Sequence, residues 1–114
     1  MKQSNQMRDF ATIHAMLCYM GAGIHCIGTF QTAYAVCLVR NQPEKMMLAT
    51  KQLYPAVAKH YGTSWKTVER NIRYTITRIW KYNPKLSGRV KKPKPMEFIV
   101  NLACISASPN TYVW

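Results

Sequence analysis

Lys66, Arg70, Arg73 and Thr77 recur at three- and four-residue steps. At about 100° per residue of α-helix they share one side of a cylinder, and Thr67, Tyr74 and Arg78 flank them. Two guanidinium forks, an ammonium and several hydroxyls suit an anionic surface rich in hydrogen-bond acceptors. A guanidinium matches the O6 and N7 of guanine, and it grips phosphate oxygens as well. Arg70 and Arg73 are therefore the candidates for base contacts. Glu69 can accept from a cytosine amine. It can equally pair with Arg73 at i, i+4 and hold that side chain in place. Lys59, Lys66, Thr67 and Tyr74 are candidates for phosphate contacts, with Lys91 and Lys92 of a later basic segment behind them. For each of these taken alone, a solvated surface position accounts for the residue type equally well.

Positioning these groups takes a helix with an apolar back. Trp65, Val68, Ile72, Ile76 and Ile79 supply it at helical spacing. Either Thr63 or Ser64 can cap its start by accepting from an orphan backbone N–H. Before it, Leu53, Tyr54, Val57, Ala58 and Tyr61 fall on one face of a shorter helix. Gly62 follows at once, where a left-handed residue stops a helix. Pro55 either starts this shorter helix or kinks it. Ala58, Gly62 and Val68 stand at i, i+4 and i+10, the spacing of a helix-turn-helix over residues 53–80. The next usual core position falls on Asn71, with Ile72 one residue late, which points to a slightly longer turn. An ordinary amphipathic hairpin explains the apolar stripe equally well. It does not explain why the front is almost purely basic, which is what a helix in a DNA major groove needs.

Charge points the same way. The 114 residues carry 16 Lys and Arg against 4 acids, a formal charge of +12. A surplus this large calls for a polyanionic partner. Nucleic acid is favoured over a membrane surface because the basic residues track the helix-turn-helix. Between Asp9 and Arg40 there is no charged side chain, yet Gly21, Gly23, Gly28, His14, His25 and Gln31 interrupt the run, so no membrane span is expected.

Cys18, Cys26, Cys37 and Cys104 show no C-x-x-C spacing, and three lie in or beside apolar helical patterns. They read as reduced, hydrophobic cysteines of a cytoplasmic protein. His14 with Cys18 and His25 beside Cys26 lack the paired ligand knuckles of a zinc site, so no metal and no cofactor is expected. The acids are scattered and no nucleophile–base spacing is present, so an enzyme is not expected. His60 beside Tyr61 reads as an ordinary surface or half-buried histidine.

In chain order, residues 1–8 read as a flexible tail. Asp9 is placed to cap a helix that carries Phe10, Ile13, Leu17 and Met20 on one face, with Gly21 at its end. A glycine-punctuated connector over 22–28 turns Ile24 and Ile27 inward. A second helix runs from Thr29 to Arg40 with Phe30, Tyr34, Cys37 and Leu38 inside. Asn41 to Pro43 break it, and Met46, Met47 and Leu48 lead into the helix-turn-helix. Past Trp80 the long helix ends near Asn83 and Pro84. A basic Pro/Gly loop over 84–95 follows. A last helix over 95–106 buries Phe98, Ile99, Leu102 and Ile105. Residues 107–114 form a C-terminal tail whose Tyr112 and Trp114 either dock or stay loose. The expected fold class is all-α: one domain over 9–106, a small bundle of about five or six helices with an embedded helix-turn-helix.

The stretch LYPAVAKHYGTSWKTVERNIRYTITRIW resembles the DNA-binding effector domain of the sporulation master response regulators, the stage zero sporulation protein A family. The family pattern is LYP-x-(I/V)-A-K, then VER-x-IR, then a Trp near the helix end. Here those are Leu53-Tyr54-Pro55, Val57-Ala58-Lys59, Val68-Glu69-Arg70, Ile72-Arg73 and Trp80. His25, Ile27 and Gly28 are similar to the family's connector. Lys94-Pro95 and Glu97-Phe98-Ile99 are similar to the opening of its last helix. The resemblance covers roughly residues 10–105.

It implies a transcription factor that activates some promoters and represses others, on a short TGTCGAA-like box. It implies base contacts from Glu69, Arg70 and Arg73. Its implied partners are double-stranded DNA, RNA polymerase and a second copy on tandem DNA sites. The family's phosphorylatable receiver domain is not part of this chain, which makes it an isolated domain, a fragment or a free-standing paralogue. The loop after Trp80 is shorter and more basic than usual. The family's last helix normally carries more charge, and here NLACISASPNTYVW, residues 101–114, is apolar and polar without acids, a departure that touches the polymerase and copy–copy contacts. A reading of a different class follows from these departures: a protein-interaction module without specific DNA binding.

Overall fold

A computed structural model describes residues 2–42, 49–83 and 92–107. Among the described residues five α-helices run in order: α1 Lys2–Tyr19, α2 Ile27–Asn41, α3 Tyr54–Tyr61, α4 Trp65–Tyr82 and α5 Pro95–Ala107. A π-helical turn, Ala49–Leu53, leads into α3. No strand occurs among the described residues, and the fold is all-α as its sequence periods require. Met46, Met47 and Leu48, the basic loop up to Lys91 and the tail with Tyr112 and Trp114 lie outside the described residues.

α2 is the central element and packs against all four other helices. That explains why it carries no charge before Arg40. Gly28, Thr29, Gln31, Thr32, Ala33, Ala35, Val36, Cys37 and Val39 are all buried, and a charge placed among them would have to leave water unpaired. The α2 part of the charge-free stretch is the middle of a bundle. No helix among the described residues is long and apolar enough to cross a membrane. Around α2 the core takes Ile13 and Leu17 from α1, Leu53 and Val57 at the start of the helix-turn-helix, Val68, Ile72, Ile76 and Ile79 from α4, and Phe98, Ile99 and Leu102 from α5. Cys37 belongs to this core, and burial first, then the nearby Asp9, pushes its thiol up to about 11. It behaves as a small hydrophobe rather than a nucleophile.

Several expectations change. α1 begins at Lys2, so Asp9 lies within it rather than capping it. Residues 2–8 contain neither Gly nor Pro, so a helix anchored by the Ile13 and Leu17 face can propagate backwards through them. Asp9 instead pairs with Arg40 across α1 and α2, at 3.2 Å. Ile24 and Ile27 are exposed, not inward. α2 starts at Ile27 and its phase is set by Gly28, which lies against α4, so Ile27 is rotated outward. Phe30, Tyr34 and Leu38 sit at the core's margin, half-buried, while Cys37 is inside. Ile105 is 38% exposed, because it lies to the side of the Phe98, Ile99, Leu102 and Ala103 face near the helix end. Trp65 is 37% exposed, since it opens α4 almost a full turn before the first buried position, Val68.

Candidate nucleic-acid interface

The turn between α3 and α4 follows from three residues. Gly62 takes the left-handed conformation, φ 64° and ψ 41°. Its N–H reaches back to Lys59 O at 3.4 Å, and the next N–H, from Thr63, donates to Ala58 O at 3.0 Å. These two bonds satisfy carbonyls that the end of α3 would otherwise orphan. Ser64 then caps α4: its Oγ accepts from Thr67 N at 3.2 Å and lies 2.9 Å from Thr67 Oγ1. Of the two candidate caps, Ser64 is the one used. Pro55 sits in the first turn of α3. It has no N–H to donate, so the helical ladder changes there and the π-helical turn gives way to α3.

α4 is held from behind by Val68, Ile72, Ile76 and Ile79, all buried. One flank is tied as well. Asn71 Nδ2 donates to Gln31 Oε1 of α2 at 3.0 Å. Thr75 Oγ1 donates to Asn71 O at 2.9 Å. Arg78 Nε donates to Gly21 O at 3.2 Å, and Asn83 Nδ2 donates to Met20 O at 3.2 Å. The position that pointed to a longer turn thus has its own explanation. Asn71 turns toward α2, and Ile72 takes the buried place.

The remaining side of α4 faces solvent. Lys66, Arg70, Arg73, Tyr74 and Thr77 are exposed there, and Thr67 is half-exposed. Glu69 and Arg73 form an ion pair at 3.1 Å, so in the free chain this carboxylate orients one of the two candidate base-reading arginines. Thr77 Oγ1 donates to Arg73 O at 2.9 Å and accepts from Lys92 Nζ at 2.8 Å. Lys92 is thereby brought to the exposed face of α4 although it lies beyond the helix in sequence. Lys59 is exposed in the last turn of α3. Lys91 lies outside the described residues.

Two residues were misjudged from sequence. Arg78, read as flanking the basic front, is committed to Gly21 O, and its guanidinium lies 5.6 Å from the centre of the Tyr82 ring. Lys81 was overlooked. It is exposed and, eleven residues after Arg70, returns to the same azimuth of the helix. The signal that would have found it is the phase of the front face carried one turn further.

Among the described residues no three of His, Cys, Asp and Glu gather closely enough to hold a metal ion. His14 stacks on Phe30 with ring centres 4.5 Å apart, and His60 stacks on Tyr34 at 4.1 Å. Tyr61 donates to Phe30 O at 3.3 Å, and burial first, then Tyr34 and Cys37, pushes its hydroxyl up to about 12. His60 and Tyr61 thus fasten α3 to α2, and His14 packs α1 against the same helix.

The family model described as Sporulation initiation factor Spo0A C terminal matches residues 13–103. The chain belongs to this family. Its members are the DNA-binding domain of the sporulation regulator, a regulatory rather than an enzymatic family. The match spans all of α2, α3 and α4, most of α5 and the C-terminal part of α1 from Ile13 on. The helix-turn-helix described above lies wholly within the matched residues.

Proposed function

We propose that this chain is a sequence-specific DNA-binding transcription regulator that lays α4 in the major groove of a short TGTCGAA-like box. Arg70 and Arg73 read guanines through O6 and N7. Glu69 accepts from a cytosine amine on the DNA or keeps Arg73 aligned. Lys59, Lys66, Thr67, Tyr74, Lys91 and Lys92 hold the flanking phosphates. The observation that carries this reading is the surface of α4. Its exposed side gathers Lys66, Arg70, Arg73 and Lys81 with Glu69 as the sole acid of the helix, while Val68, Ile72, Ile76 and Ile79 on its apolar side are committed to the core. A surface of one sign on one helix focuses a field that attracts a polyanion.

The partners proposed with DNA are RNA polymerase and a second copy on tandem sites, in the cytoplasm and without a membrane. Selection from a random duplex pool tests the reading. Enrichment of a TGTCGAA-like box supports it. Binding that enriches no sequence supports instead a module that has lost specific DNA binding.

A further inference from the structure

The polar contact between α2 and α4 does more than fill space. Gln31 is 2% exposed, and its side-chain carbonyl accepts from Asn71 across a sequence separation of 40 residues. Beside that bond the two helices touch almost backbone to backbone. A Cβ added at Gly28 would come within 2.7 Å of Asn71 O and 2.5 Å of Thr75 Oγ1. Arg78 ties the same flank of α4 to Gly21 O two turns later. The apolar stripe of α4 is different in kind. Burial of aliphatic surface is non-directional, and aliphatic cores lose uniqueness of packing before they lose stability. Val68, Ile72, Ile76 and Ile79 keep α4 on the bundle and set its rotation about its own axis coarsely, and directional contacts refine it. A buried hydrogen bond is directional, and breaking it leaves the Gln31 carbonyl unpaired.

We infer that Gln31 and Asn71 are positioning residues for DNA recognition: their bond sets the azimuth of α4 and so aims Arg70 and Arg73. Asn71 adjoins Arg70 and lies two residues before Arg73. A rotation of about 20° displaces a side chain on the helix surface by about 2 Å. That is enough to unseat a two-pronged contact with a base edge. Phosphate contacts by flexible lysines tolerate the same displacement. The tie therefore governs sequence preference more than overall affinity. This inference rests on α4 being the reading helix.

Three variants separate the roles. Asn71→Ala removes the bond and orphans Gln31. The double variant Gln31→Leu with Asn71→Leu removes the bond and leaves no buried group unpaired, so it is designed to stay folded. The double variant Gln31→Asn with Asn71→Gln restores one amide pair of the same combined length. Affinities are measured on the duplex selected by the parent and on a scrambled duplex, at one salt concentration, beside thermal melts. The expected result is that Asn71→Ala and the leucine pair each lose about fivefold or more of the parent's preference, the lower end of one base contact. Scrambled-duplex affinity stays within about twofold, and the exchanged amide pair regains most of the preference. If the folded leucine pair discriminates like the parent, or a folded exchanged pair fails to recover discrimination, the positioning role is overturned. A parent that selects no duplex would instead overturn the DNA-reading assignment of α4 itself.

Discussion

Lys92 Nζ donates to Thr77 Oγ1 at 2.8 Å, so the approach to α5 is fastened to the exposed face of α4. The contact places a cation from the basic segment beside Arg73, whose carbonyl accepts from the same Thr77 hydroxyl. On the proposed reading, a lysine so placed meets the DNA backbone when Arg70 and Arg73 meet bases. With about five phosphate contacts per copy, log K should fall against log salt with a slope near −4 to −5. Lys92→Ala should weaken box-containing and scrambled duplexes alike and reduce that slope by about one. A selective loss on the box would move Lys92 into base recognition.

Ile72 is fully buried behind the exposed face of α4. Ile72→Ala removes part of the contact between α4 and the bundle and leaves a cavity, at a cost of roughly 2–5 kcal/mol. Urea unfolding followed by circular dichroism measures this. A domain with only about 5–15 kcal/mol in reserve should show a large drop in midpoint. An unchanged midpoint would show that Ile72 is not part of the core that holds α4.

Tyr61 makes stability depend on alkaline pH. Its folded hydroxyl titrates at about 12, above the ordinary 10, because burial disfavours the phenolate. The folded state therefore binds its proton more tightly than the unfolded chain does. Its contribution is complete below pH 10 and declines as pH rises from 10 toward 12. Tyr54 is shifted in the same direction, again chiefly by burial. Denaturation midpoints should fall across this range, and Tyr61→Phe should flatten the decline. A decline of equal steepness in Tyr61→Phe would assign the effect to other groups.

The parts of the fold legible in sequence were those with a local period or a local stereochemical demand. The Val68, Ile72, Ile76 and Ile79 stripe needs only the helical repeat to be found, and all four are buried. Gly62 and Ser64 act within a few residues of themselves, so their turn and cap could be read directly. Ties between distant segments had no such signature. Asn71 meets Gln31, Arg78 meets Gly21 and Asn83 meets Met20 only after α1, α2 and α4 have assembled. Arg78 was read as surface for that reason. Ile24 and Ile27 were misplaced because a glycine-rich connector has no period, and the close approach at Gly28 decides which way its neighbours face. In the candidate site, the spacing of Lys66, Arg70, Arg73 and Thr77 was enough to place them together on the exposed side of α4. The arrival of Lys92 at Thr77 depended on a return of the chain that no spacing encodes.

The claim that the exposed side of α4 reads base sequence is tested most directly at Arg70. The residue lies in the first two turns of α4, where such helices reach base edges, and it is exposed with no described partner on its guanidinium. Folding should not need it, so Arg70→Ala should keep the parent's helical content and melting temperature. A lost bidentate pair with guanine costs about 1–3 kcal/mol of discrimination, which converts to roughly 5- to 150-fold. In competition gel shifts at one fixed salt concentration, Arg70→Ala should lose preference for the selected box over a scrambled duplex by that factor, with a smaller loss on the scrambled duplex. An equal loss on both duplexes, from a variant that melts like the parent, would contradict base reading by this face.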